Sequence, residues 1–95
     1  MAVVVSAVVP GYTADMYEAV SAKAMSGDQL PVGCQVHIAG PVEQGWRVIT
    51  VWDSREMFDR FREEKLLPAI RELAGDNGPP DVAPEVNQVH RLLTA

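Results

Sequence analysis

Proton transfer near neutrality needs an imidazole, and the chain holds two histidines, His37 and His90. His37 lies within Cys34 to Ala39, where Cys/Gln/Val/His/Ile/Ala alternates with the two-residue period of a strand. A mid-strand place in such a pattern calls for burial, so His37 is either a general base or a core histidine satisfied by a backbone carbonyl or a water. His90 falls in a strand read over Val86 to Leu93 and is either a second catalytic group or an edge-strand surface histidine. Tyr17 sits with Met16 and Val20 on a helical stretch and can aim its hydroxyl into a cavity, or serve as a core edge residue. Cys34 alternates with His37, so the two are expected on opposite faces and not as a nucleophile and base. Two histidines without a neighbouring acidic cluster do not make a metal site, and Val9-Pro10-Gly11-Tyr12 lacks the glycines that cradle a nucleotide phosphate. Neither a metal nor a cofactor is expected.

These side chains must be positioned by short elements. Ala2 to Val9 is a β-branched run stopped by Pro10-Gly11, hence a first strand. Thr13 to Met25 reads as a helix capped by Thr13, with Met16, Val20 and Ala24 on one face. Ser26-Gly27-Asp28 ends it. Cys34 to Ala39 is the second strand, Gly40 to Gly45 a turn, and Trp46 to Trp52 the third strand. Asp53, three residues ahead of Glu56, has the spacing of a helix-opening box, and Met57, Phe58 and Phe61 form the apolar face behind it. Pro68 predicts a break near Lys65 to Leu67 with a restart in which Pro68 occupies a first turn, and Gly75 predicts a stop. The three prolines between Gly75 and Glu85 mark a loop, expected to be the most mobile segment, ahead of the last strand.

If Trp52 faces the helices, alternation puts Thr50, Val48 and Trp46 on the same side and leaves Ile49 and Val51 on the other. Closing the hairpin with Ala39 opposite Trp46 sets His37 across from Val48 and Gln35 across from Thr50. His37, Gln35, Thr50 and Trp52 would then share one partly apolar surface with Tyr17 and Phe61 above it, the makeup of a small-molecule pocket.

The order β-α-β-β-α-β defines an α+β, ferredoxin-like domain over 1-95, a four-stranded antiparallel sheet with both helices on one face. Strand one is apolar on both sides, so the uncovered face predicts a homodimer packed sheet to sheet. Eight basic residues against thirteen acidic, a net charge of −5, exclude a surface that grips nucleic acid by charge. Ala2 to Val9 is too short to span a membrane and lacks the lead-in of a secretion signal, so a cytoplasmic location is expected. The single cysteine, Cys34, allows no internal disulfide.

Val48-Ile49-Thr50-Val51-Trp52-Asp53-Ser54-Arg55-Glu56-Met57-Phe58 resembles the strand-to-helix junction of the dimeric α+β barrel superfamily, the antibiotic-biosynthesis-monooxygenase-like proteins. The resemblance implies a ligand between sheet and helices and a dimer through the other sheet face. It also implies chemistry on a hydrophobic aromatic or polyketide-like compound: cofactor-independent oxygenation, with cyclisation or isomerisation by a histidine base, or non-catalytic ligand binding in a stress-response dimer, as alternatives. Trp52 matches the junction tryptophan of the haem-degrading branch. That branch also needs an asparagine on the first strand and a histidine on the second helix, where this chain has Ser6 and none, so haem is not expected.

Overall fold

β-Branched residues favour a pleated, half-buried backbone, and Val3–Pro10 forms β1, followed by α1 (Ala14–Ala24), β2 (Cys34–Val42) and β3 (Gly45–Trp52). The second half holds α2 (Arg55–Phe61), a π-helical turn (Arg62–Leu66), α3 (Leu67–Ala74) and β4 (Glu85–Gln88). The structure, a computed structural model, describes residues 1–25, 29–74 and 84–95. The expected break at 26–28 and nearly all of the proline-rich loop, 75–83, lie outside the described residues. The strands are ordered β2-β3-β1-β4 and every pair is antiparallel, the arrangement predicted from the element order.

Three local expectations are corrected. The turn between β2 and β3 is Glu43-Gln44 and not the six residues from Gly40 to Gly45, because β2 runs on through Pro41 to Val42. A proline is tolerated there since β2 is an edge strand and its missing N–H leaves no ladder bond unmade. Gly45 closes the turn at φ +157°, where a Cβ would collide with the Val9 carbonyl oxygen. As a result Trp46 pairs with Pro41 and Val48 with Ala39, so the register is offset by two residues from the predicted one. An offset of two keeps each side chain on its predicted face.

The second correction concerns the helix start. Ser54, not Asp53, is the cap: its hydroxyl accepts from the Met57 backbone N–H at 3.2 Å. Asp53 instead accepts from Gln35 Nε2 at 2.6 Å. The third is ahead of Pro68: α3 restarts at Leu67 with Pro68 in its first turn, as expected, but the interruption before it is a π turn, Arg62–Leu66, and not a break in the helix. The turn widens so that Leu67 N–H reaches the Arg62 carbonyl, an i→i−5 bond. Proline lacks an N–H and, in a regular α-helix, presses on the carbonyl four residues back; one extra residue in the preceding turn relieves that contact. The apolar spacing demands the same thing, since Phe58 and Phe61 are followed on the inner wall by Leu66 and Ile70, and the step from Phe61 to Leu66 is five residues.

The helices cover the sheet face that carries Val5, Cys34 and Trp52, and Phe58 of α2 completes the buried cluster from above. Trp52 is its centre at 2% exposure, its ring packed between Phe58 at 5.7 Å and Phe61 at 5.3 Å. Lys23 and Glu72 tie α1 to α3 at 2.9 Å on the surface, a contact of small energetic weight. The other face shows Ile38 at 52% exposure and Val8 at 38%, while Val51 at its centre is buried in the single chain.

Candidate functional site

Between the sheet and the helices lies a cavity of about 210 Å³. Its floor comes from alternate residues of the two central strands: Val5 and Ala7 of β1, with Val48, Thr50 and Trp52 of β3. Antiparallel pairing sets Val5 against Thr50 and Ala7 against Val48, so these side chains share one face by the pleat. α1 contributes Tyr17 and Val20, and the second helical unit contributes Phe58, Phe61, Arg62, Leu66 and Ile70.

The polar groups converge near the middle of this floor. His37 pairs with Thr50 across the β2–β3 ladder. Its Nε2 shares a hydrogen bond of 2.5 Å with Tyr17 Oη from α1, the rings standing 5.9 Å apart. Burial lowers the His37 pKa below the ordinary imidazole value, because a charged ring loses more solvation than a neutral one. A neutral imidazole at physiological pH is the form that accepts a proton. Thr50 accepts from Trp52 Nε1 at 2.8 Å, which fixes the indole and leaves the threonine O–H to donate elsewhere. Tyr17 also packs on Trp46 at 5.2 Å. The Trp46 indole N–H is buried without a partner.

Five of the seven residues singled out from sequence line this one cavity: His37, Tyr17, Thr50, Trp52 and Phe61. Two do not. Gln35 occupies a bulge between Cys34 and Val36, where the pairing with β3 slips; it is exposed and turned to Asp53. A bulge restarts the alternation, and it brings Cys34 onto the cavity side together with His37, against the expectation of opposite faces. The Cys34 thiol donates to the Val36 carbonyl at 3.4 Å; burial, with help from Asp53, pushes its pKa up, so it stays protonated. His90 is exposed and lies past the end of β4. That strand stops at Gln88, opposite Val3 where β1 begins, and the last bond of this edge runs from Val89 N–H to the Ala2 carbonyl.

Sequence reasoning missed Tyr12, Cys34 and Arg62 as wall residues. For Arg62 a signal was present: the five-residue apolar step from Phe61 to Leu66 is a π-turn spacing, and it keeps Arg62 on the inner side between them. Among the described residues no three His, Cys, Asp or Glu side chains gather as a metal site. No helix there is long and apolar enough to cross a membrane.

The sheet order, with the helices on one face and the cavity between them, defines an α+β, ferredoxin-like fold. Three solved structures have it over nearly the whole chain. Rv0793 from Mycobacterium tuberculosis superposes with a TM-score of 0.64 at 17% identity, covering 98% of both chains. A protein from Chloroflexus aurantiacus J-10-fl, described as a candidate antibiotic biosynthesis monooxygenase, gives 0.63 at 13% identity, over 98% of this chain and 95% of its own. SnoaB from Streptomyces nogalater, a cofactor-independent oxygenase solved as an asparagine-to-alanine variant, gives 0.60 at 17% identity, over 99% and 96%. No family model matches the sequence, and no curated protein matches it either.

Proposed function

We propose that the protein is a small-molecule enzyme that oxygenates a flat hydrophobic compound, aromatic or polyketide-like, without a bound cofactor. The observation that carries this reading is the Tyr17–His37 hydrogen bond on the wall of an otherwise largely apolar cavity. A phenol and a neutral imidazole in contact act as one base: a proton taken at either group ends on the ring nitrogen. Such a base contributes roughly 10²–10⁴-fold when it sits at the reacting atom. The walls supplied by Trp52, Phe58 and Phe61 orient a planar ligand and keep water from the carbanion.

Taking dioxygen to one organic oxygen and one water requires four electrons, and with no cofactor the substrate supplies all of them. A ring CH₂ that becomes C=O does so. Deprotonation breaks one C–H bond, the carbanion reduces dioxygen, one oxygen atom stays in the carbonyl, and the other leaves as water with the two hydrogens. The likeness to SnoaB and to the Chloroflexus protein supports oxygenation as the kind of chemistry. A volume of 210 Å³ is below the roughly 300–1,000 Å³ of pockets for drug-sized ligands, which suits a compound of one to three rings.

We also propose that the working unit is a homodimer. Ile38 and Val8 on the uncovered sheet face favour a partner of the same shape, and a second copy supplies one by two-fold symmetry.

An oxygen electrode with a panel of activated ring CH₂ compounds tests the chemistry. The expected result is dioxygen uptake equal to product formed, with one oxygen atom retained. Turnover without oxygen uptake would replace oxygenation by cyclisation or isomerisation at the same base. Binding without turnover would make the protein a ligand carrier.

A further inference from the structure

Thr50 stands at the centre of the cavity floor, paired with Val5 on one side and with His37 on the other. At 7% exposure its hydroxyl is the kind of polar group that a core keeps only with its hydrogen bonds made. An indole N–H can only donate, so in the 2.8 Å bond with Trp52 Nε1 the Thr50 oxygen is the acceptor. That bond leaves the hydroxyl hydrogen unspent, and among the described residues no acceptor answers it. The nearby donors are already engaged: Tyr17 and His37 share one hydrogen between them, and the Cys34 thiol donates to the Val36 carbonyl. Trp52, packed between Phe58 and Phe61, holds the threonine oxygen from its own side, and the open side of the hydroxyl is the cavity that Thr50 lines. Cross-strand partners have Cβ atoms about 4.5–5.5 Å apart, so a ligand atom held by Thr50 lies beside the Tyr17–His37 pair.

We propose that Thr50 is a specificity residue for a neutral carbonyl group: the ligand is a cyclic ketone whose oxygen accepts from the Thr50 O–H, with its rings against Phe58 and Phe61. The carbon next to the carbonyl then faces the Tyr17–His37 pair. A carbonyl is also what makes a neighbouring CH₂ acidic, so the hydrogen bond that selects the ligand sets its reactive C–H against the base. No covalent bond changes in this binding step. The proposal rests on the reading of the cavity as the substrate site and narrows it from flat hydrophobic compounds to ketones.

The probe is 1-indanone labelled with carbon-13 at the carbonyl, with indane as the equivalent of similar shape that has no acceptor. Thr50→Val alone would release the Trp52 N–H and free it to bond the carbonyl, so the comparison is made in Trp52→Phe with and without Thr50→Val, beside the wild type. Infrared difference spectra are expected to place the bound carbonyl stretch below its position in hexane for the wild type and for Trp52→Phe. In the double variant the stretch returns to the hexane position. Affinity for 1-indanone falls there by about three- to tenfold relative to Trp52→Phe, as loss of one neutral hydrogen bond requires, while affinity for indane does not fall. Thr50→Ser in the wild type should keep the shift. A wild-type stretch at the hexane position would overturn the proposal, and the wild type alone decides this if a variant fails to fold. A shift that survives in the double variant would also overturn it, since another donor then holds the carbonyl. Both compounds binding equally well in every form would remove the role of Thr50 and keep the cavity as a site. Binding of neither would remove the cavity reading itself, so the two failures are distinct.

Discussion

At the scale of single residues, the proposed chemistry rests on one hydrogen bond between elements far apart in sequence. His37→Ala removes the base and is expected to lower kcat by about 10²–10⁴-fold with little change in binding. Tyr17→Phe keeps the ring and loses only the shared hydrogen bond, so a loss of about tenfold is expected. Steady-state kinetics on any accepted substrate checks both, and full activity in His37→Ala would remove the proposed base. The pH dependence follows from the burial of His37, which lowers its pKa below 6.5. The acid limb of kcat/KM should therefore fall below pH 6.5. In the window between the folded-state pKa and 6.5 the unfolded chain binds more protons, so stability rises with pH there and is lost as pH drops through it. Urea melts across that range should show this slope, and His37→Gln should flatten it. Trp52 is a different case: at 2% exposure its removal to Ala is expected to cost about 3–5 kcal/mol, which thermal melts would register. Trp52→Phe is the variant suited to reading ligand binding.

At the scale of elements, periodicity made most of the site legible. His37, Thr50 and Trp52 share a face because alternation survives a register offset of two, and the error in the turn did no damage to it. Gln35 was misplaced because a bulge is a one-residue departure from period two that alternation cannot announce. His90 was misplaced because the length of β4 is set by where β1 begins, which the sequence of β4 does not contain. The break expected near Lys65 to Leu67 became a π turn over Arg62–Leu66, with Pro68 in the first turn of α3 as expected and Leu66 and Ile70 both on the cavity side. This account makes a specific prediction. Deleting Lys65, an exposed residue, turns the five-residue step into a four-residue one, which a regular α-helix can satisfy. With Pro68→Ala the deletion should be tolerated and ligand binding kept; with Pro68 retained, the proline inside a regular helix should cost about 3 kcal/mol or more. Melts of the two deletion variants decide it, and equal stabilities would contradict the role given to the proline.

At the scale of the whole molecule, the two faces of the sheet divide the labour: one builds the cavity and the other is proposed to join two copies. Val51 is only 7% exposed in the single chain, so a charge there would test folding and not association. Ile38, at 52%, is the informative position. Ile38→Asp should leave the fold intact by circular dichroism and convert a dimer to a monomer in light scattering, because the dimer would bury an unpaired carboxylate. The fold class was legible from element order alone, since only a few topologies place two β-α-β halves on one antiparallel sheet. The chemical detail of the cavity was legible only in part: the five-residue apolar step from Phe61 to Leu66 marks Arg62, whereas Cys34 reaches the wall through a bulge that alternation does not announce. The claim on which all else depends is that this cavity is where a ligand binds. An amide proton–nitrogen correlation spectrum titrated with a flat hydroxylated aromatic compound tests it most directly. The expected result is shifts concentrated at Tyr17, His37, Thr50 and Phe61 and at the Trp52 indole; shifts confined to the outer face around Ile38, or none at saturating ligand, would contradict it.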